Sequence, residues 1–210
     1  MVNFKNKTVI LWDFDGVILD SMEVRTKGFK TVLGSFPEKK VQELVNFHLK
    51  NGGLSRYVKF KYFFEQIIKV PVNSNDVEKY SNMFSEIMLE ILPNKKLLIP
   101  DSLNFIIDNQ EKFEMHIVSG SDENELKKLC YALDITNLFK SIQGSPVPKT
   151  DLVSEILARE HYYNSSVVLI GDSINDHDAA IQNSIDFLGY NNTLLLKKGL
   201  PYIKSFNEIV

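Results

Sequence analysis

The spacing of apolar positions changes along this chain, and each change marks an element. Residues 8–12 form an unbroken apolar, β-branched run, which suits a strand buried on both faces of a parallel sheet. Beyond Ser21 the apolar positions recur every three or four residues instead. One stripe runs through Val41, Leu44, Val45, His48 and Leu49, a second through Phe60, Phe63, Phe64, Ile67 and Ile68, and a third through Val77, Tyr80, Phe84, Ile87, Met88 and Ile91. These are amphipathic helices. Pro71 closes the second, and Asn75 with Glu78 marks the start of the third. From Pro100 the period alternates. A helix with Leu103, Ile106 and Ile107 leads to a strand at 115–118, then come a helix over 122–133, a loop through 144–149, a helix over 150–160 and a strand at 167–170. A helix with Ala179 and Ala180, a short strand at 185–188 and a capped final turn at 205–208 complete the chain.

Strands separated by helices predict an α/β fold, a doubly wound, Rossmann-like parallel sheet with right-handed crossovers. The expected division is a core of residues 1–20 and 96–210 with an inserted α-helical domain at 21–95. In such sheets the cleft lies beyond the carboxyl ends of the strands. The polar residues fall there: Asp13 and Asp15 after the first strand, Ser119 and Gly120 after the second, Asp172 after the third, and Lys149 on a loop able to reach the same edge. Alternation along an extended chain points Asp13 and Asp15 the same way, with Gly16 easing the turn that follows. Carboxylates that close raise each other's pKa unless a cation sits between them, so the pattern asks for a metal.

Composition narrows the partners. The 210 residues are 44% hydrophobic and 24% charged with net charge -3 and no basic run, which argues against a nucleic-acid partner. The N-terminal apolar run is too short for a signal peptide and no stretch is long enough to cross a bilayer, so no membrane partner is expected. A single cysteine fits a reducing, cytoplasmic setting; Cys130 shares a stripe with Leu126, Leu129 and Leu133 and reads as packing.

The run Asp13-Phe14-Asp15-Gly16-Val17-Ile18-Leu19-Asp20-Ser21 resembles the first motif of the haloacid dehalogenase superfamily of phosphatases and phosphotransferases. Ser119 matches the Ser/Thr of its second motif, Lys149 the basic residue of its third, and Gly171-Asp172-Ser173-Ile174-Asn175-Asp176 its acidic fourth. The resemblance covers the whole core and implies roles. Asp13 is the expected nucleophile, forming an aspartyl phosphate, and Asp15 the general acid and base. Mg²⁺ is the expected cofactor, held by Asp13, Asp172 and the Asp15 carbonyl, with Asp176 adjoining directly or through water. Lys149, Ser119 and Gly120 would bind the transferred phosphate, while Ser173 and Asn175 orient the acidic loop. Alone, Asp172 and Asp176 read as a helix cap and a first-turn acid.

The insert is similar to the superfamily's small α-helical cap, and residues 49–56 resemble the specificity loop of β-phosphoglucomutase-like members. Arg56 is placed to grip a second anion of the substrate; Lys59 and Lys61 read as a solvated helix start and His48 as a packed helix-end residue. The implied function is a Mg²⁺-dependent phosphatase acting on a small phosphorylated metabolite, either a sugar phosphate or a phosphorylated acid. The alternative is a sugar phosphomutase, against which stands Arg25 where related mutases carry histidine. A non-catalytic Mg²⁺- and phosphate-binding module is the remaining reading, opposed by the presence of all four acidic and basic motif positions. Residues 181–186 depart from the small, glycine-containing stretch usual after Asp178-Ala179-Ala180, and the sequence names neither the substrate nor an oligomeric state.

Overall fold

A computed structural model describes residues 4–209; residues 1–3 and 210 of the expected core boundaries lie outside them. Strand β1 (Val9–Trp12) is followed by four helices, α1 (Met22–Val32), α2 (Glu38–Lys50), α3 (Arg56–Tyr62) and α4 (Ser74–Ile91), with a π-helical stretch at Phe63–Ile68 extending α3. The chain then alternates: α5 (Pro100–Asp108), β2 (Glu114–Asp122), α6 (Glu123–Ala132), β3 (Ser141–Ser145), α7 (Lys149–Glu160), β4 (Val167–Gly171), α8 (Ile174–Gln182), β5 (Asp186–Tyr190), α9 (Thr193–Lys197) and β6 (Tyr202–Ile203). All strand pairs are parallel, in the order β3-β2-β1-β4-β5-β6.

The expected α/β architecture is present, and β1 shows why its residues read as a strand buried on both sides. Ile10 and Trp12 face one apolar cluster with Ile117, Ile170 and Phe206, while Val9 and Leu11 face the other with Val153, Ile156, Leu169 and Ala180. The insert holds its own aromatic centre, with Phe29, Phe60 and Phe84 buried and the Phe29 and Phe84 rings 4.5 Å apart. Truncating one of these to alanine costs about 3–5 kcal/mol. Among the described residues no helix is long and apolar enough to cross a membrane.

Two strands were not foreseen. β3 occupies part of the expected loop at 144–149, and β6 falls between the expected strand at 185–188 and the capped turn at 205–208, where no element is expected. Both lie at sheet edges, where Ser141, Gln143 and Tyr202 are only partly covered and no apolar run is required. β2 also continues past 118 through Asp122, and Asn73 rather than Asn75 caps α4, its side chain accepting from the Asp76 amide at 2.9 Å. Ser205 caps the last turn as expected.

Candidate active site

Where the apolar run of β1 stops, the chain is still held in register: the Asp13 amide donates to the Ile170 carbonyl at 2.9 Å. Lys149, the first residue of α7, buries its side chain so that Nζ lies 2.8 Å from Asp13 Oδ1 and also donates to Asp176 Oδ1. The other oxygen of Asp176 accepts from the Ser173 amide at 2.9 Å and the Ser173 hydroxyl at 2.6 Å, while Ser173 Oγ accepts from the Asp176 amide. This reciprocal cap makes Asp176 a first-turn acid of α8 and an anchor for Lys149 at once. Asp172 closes β4 beside Gly16, whose φ of +77° and lack of a side chain let the turn after Asp15 pass the Asp172 carboxylate.

Charge is unevenly matched on this wall. Burial first, and the Asp176 charge second, push Asp13 up to about 7 against the pull of Lys149. Asp172 is raised well above the usual carboxylate range by burial and by the charges of Asp13 and Asp176. Burial opposes the Lys149 charge, but Asp13 and Asp176 outweigh it and hold the ammonium above its ordinary value. Asp13, Asp172 and Asp176 each offer an oxygen within 4.8 Å of the others, with one ammonium among them. An excess of hard oxygen donors over cations fits a hard divalent ion such as Mg²⁺.

Asp15 faces the other way. It accepts from the Ser21 hydroxyl, from Ser121 Oγ at 2.5 Å and from Arg25 Nε at 2.6 Å. Burial alone would raise its pKa; the Arg25 charge and the hydroxyl donors reverse this and lower it. Arg25 Nη1 reaches Glu125 Oε1 at 3.0 Å, and the second oxygen of this buried carboxylate lies 2.5 Å from Arg56 Nη1. Arg56 also donates to the Ser85 hydroxyl, and the Tyr57 hydroxyl donates to Asp122 Oδ2 at 2.7 Å. Arg25, Arg56 and Tyr57 belong to the insert, Glu125 and Asp122 to the sheet domain, so ion pairs and a hydrogen bond clasp the two.

The loop between α2 and α3 completes the enclosure. A side chain at Gly120 would strike the Gly53 carbonyl, and one at Gly53 would place Cβ 2.6 Å from Ser173 Oγ, so paired glycines let the loop rest on the Ser119-Gly120 turn. What remains between the walls is a cavity of about 30 Å³, room for roughly one water.

Every motif residue named from the sequence therefore lies along one sheet edge, and Asp13, Asp15, Ser119, Gly120, Asp172 and Arg56 line one cavity. Arg56 meets that cavity with its charge already matched by Glu125. Asn175 sits beside Gly53, and Lys61 is exposed as expected, but Lys59 is not solvated: it is 3% exposed and donates to the Gly52 carbonyl at 2.9 Å. His48 packs against Phe29 as expected, yet it also lines the cavity. Cys130 is buried and its thiol pushed up to about 12 by desolvation, in keeping with packing. Sequence reasoning missed the Arg25 and Ser121 contacts to Asp15, the role of Glu125, and two asparagines after β5. Asn191 Nδ2 donates to the Gly16 carbonyl at 2.9 Å and Asn192 Nδ2 to the Asp172 carbonyl at 2.7 Å. Their position beyond the carboxyl end of a strand was the available signal.

Comparison with solved structures returns this architecture at low identity. CbbY of Rhodobacter sphaeroides in complex with phosphate superposes with a TM-score of 0.76 at 15% identity, covering 96% of each chain. The β-phosphoglucomutase of Clostridium difficile gives 0.74 at 16% identity, covering 97% of this chain and 93% of its own. A predicted phosphoglycolate phosphatase of Haemophilus somnus gives 0.74 at 15% identity, covering 97% and 96%. No match is found among curated proteins. Likeness at these identities shows the fold, while the family profile described as haloacid dehalogenase-like hydrolase matches residues 10–190. With that profile running from β1 to the end of β5, through the insert and all four motif positions, the chain belongs to the haloacid dehalogenase-like hydrolases.

Proposed function

We propose that the protein is a Mg²⁺-dependent phosphatase acting on a small phosphorylated metabolite through an aspartyl phosphate on Asp13. The observation that carries this reading is the seat of Asp13: a buried carboxylate 2.8 Å from the Lys149 ammonium, sharing its cavity with Asp15, Asp172 and the Ser119-Gly120 turn. The superposing structures support it as well, since they include a phosphate complex, a sugar phosphomutase and a phosphatase assignment.

In the first step an Asp13 oxygen attacks phosphorus, the bond from phosphorus to the ester oxygen breaks, and Asp15 gives that oxygen its proton. In the second, Asp15 takes a proton from water, the water oxygen attacks phosphorus, and the linkage to Asp13 breaks to release phosphate. Lys149, the Ser119 hydroxyl and the Gly120 amide hold the phosphoryl oxygens. Asp13, Asp172 and the Asp15 carbonyl would hold Mg²⁺, with Asp176 adjoining, and the bound ion would neutralise charge on those oxygens. The insert, residues 21–95, serves as a cap that opens for substrate and closes to exclude bulk water. Arg25 favours the carboxylate form of Asp15, the form that takes a proton from water once the first step has removed its own.

The test is phosphate release from a panel of phosphorylated sugars, sugar acids and nucleotides with Mg²⁺. One ester is preferred; release falls by about 10³-fold or more in Asp13→Asn and stops in EDTA until Mg²⁺ is restored. Full release by Asp13→Asn would remove Asp13 as the nucleophile. Absence of release together with metal-dependent interconversion of sugar-phosphate isomers would replace the phosphatase by a mutase.

A further inference from the structure

The wall of the cavity formed by the insert carries more hydrogen-bonding capacity than the protein uses. His48 is 1% exposed, packs on Phe29 and lines the cavity with neither ring nitrogen bonded. Arg25 and Arg56 each keep a buried Nη2 without a partner. Lys59, 3% exposed, uses one donor on the Gly52 carbonyl and has no carboxylate within ion-pair distance among the described residues. Buried polar groups are ordinarily paired, and an orphaned donor costs about 1–3 kcal/mol. Arg25, His48 and Arg56 all line the cavity, so a ligand entering it comes beside residues whose buried polar atoms the fold leaves unpaired.

The charges decide what kind of ligand. Arg25 is matched by Asp15 and Glu125, and Arg56 by Glu125, so two guanidiniums face two carboxylates. Lys59 is the cation left over. Its ammonium donates to the Gly52 carbonyl and lies 6.0 Å from the Phe29 ring centroid, with no carboxylate paired to it, and Gly52 lies in the loop that rests on the Ser119-Gly120 turn.

We propose that Lys59, with His48 beside it, forms a subsite for an anionic group at the end of the substrate remote from the transferred phosphoryl group. Lys59, rather than the matched Arg56, supplies the charge discrimination. This rests on the phosphatase reading for the phrase "transferred phosphoryl group", and it narrows the substrate to a phosphate ester bearing a carboxylate or a second phosphate. Neutral His48 offers one donor and one acceptor, suited to a hydroxyl or to an anion oxygen.

The test separates the subsite from the chemistry by measuring binding in the Asp13→Asn protein with Mg²⁺, by calorimetry. The probes are glycerol 3-phosphate, 3-phosphoglycerate and glycerol 1,3-bisphosphate, which share three carbons and differ in the remote group. At least one anionic probe should bind tenfold or more tighter than glycerol 3-phosphate, and which one it is identifies carboxylate or phosphate as the preferred group. Adding Lys59→Met should bring that ratio below threefold, whereas Lys59→Arg, which keeps the charge and reports on folding, should retain it. A ratio near one in the Asp13→Asn protein, or a ratio that survives Lys59→Met and collapses in Arg56→Lys, overturns the proposal. Hydrolysis of the same three esters by the wild type is read in parallel. If binding discriminates while no ester is hydrolysed, the phosphatase reading falls and the subsite stands.

Discussion

The two walls of the cavity are built to opposite excess. On the sheet side Asp13, Asp172 and Asp176 surround the single ammonium of Lys149. On the insert side Arg25 and Arg56 pair with Asp15 and Glu125, Lys59 has no ion-pair partner among the described residues, and Arg25, Arg56 and His48 keep buried polar atoms unpaired. Neither wall is balanced by itself, and closing one on the other leaves each excess in place because the matched pairs already consume the contacts between them. A cation on the sheet side and an anion on the insert side would satisfy both. A metal ion and a phosphate ester, the pair that the proposed function calls for, would supply those two charges.

Removing the sheet side's one cation is the strongest way to test that contrast. Lys149→Met leaves the Asp13 and Asp176 carboxylates buried together without their shared partner. Breaking a buried pair from one side costs about 3–5 kcal/mol, and loss of the phosphate contact proposed for Lys149 should lower kcat by about 10²-fold or more. If the wall is a metal site, Mg²⁺ should recover part of the lost Tm in this variant and add less to the wild type. A variant with wild-type Tm and no response to Mg²⁺ would show that Lys149 does not balance the acids.

Glu125→Gln asks the corresponding question of the insert side, with a smaller effect. Glutamine keeps hydrogen-bonding shape but removes the charge shared by Arg25 and Arg56; both retain other partners in Asp15 and Ser85. A loss of about 2 kcal/mol in stability is expected, with KM raised more than kcat is lowered because the clasp between insert and sheet weakens. Equal changes in both parameters would place Glu125 in the chemistry rather than in closure.

The two walls also differ in how far the sequence reveals them. The sheet side is legible because its meaning is local: an apolar strand stops, two acids follow, and topology places every strand end at one edge. Asp13, Asp15, Ser119, Lys149 and Asp172 were all found that way. On the insert side the signal was present but was read with the wrong default. Arg56, Lys59, Phe60 and Phe63 follow one helical stripe, as do Arg25, Gly28, Phe29 and Val32, and Glu125, Leu126 and Leu129. Extending each apolar stripe by one turn reaches a charged residue, and charged residues on a buried stripe are those whose partners come from another element. The partner itself is a tertiary fact: nothing near Arg25 in sequence points to Glu125. β3 and β6 escaped for a related reason, since an edge strand does not need the apolar run that announces a central one.

The smallest expected effect sharpens the contrast most, because it predicts a gain. Lys59→Met should stabilise the ligand-free protein. Burial, and next the Arg25 charge, depress the Lys59 ammonium to about 7 against an ordinary 10.5, with Arg56 adding to this and Asp15 and Asp172 opposing it. A depressed base is protonated in the unfolded chain at pH values where the folded chain has released the proton, so stability falls as pH drops from about 10.5 toward about 7 and levels off below. Methionine fills a similar volume and does not titrate, so its advantage should be largest at or below neutral pH and shrink toward pH 10. After allowance for the lost Gly52 contact, a gain of about 1–2 kcal/mol, several degrees in Tm, is expected near pH 7. Thermal unfolding of both proteins across that range measures it. An anionic ligand should reverse the order, raising the wild-type Tm more than that of the variant, because it supplies the counter-charge that the fold withholds from Lys59. A buried lysine that costs stability when the cavity is empty and returns it when an anion is bound is kept for the ligand; a variant less stable than the wild type at every pH would make Lys59 a structural residue.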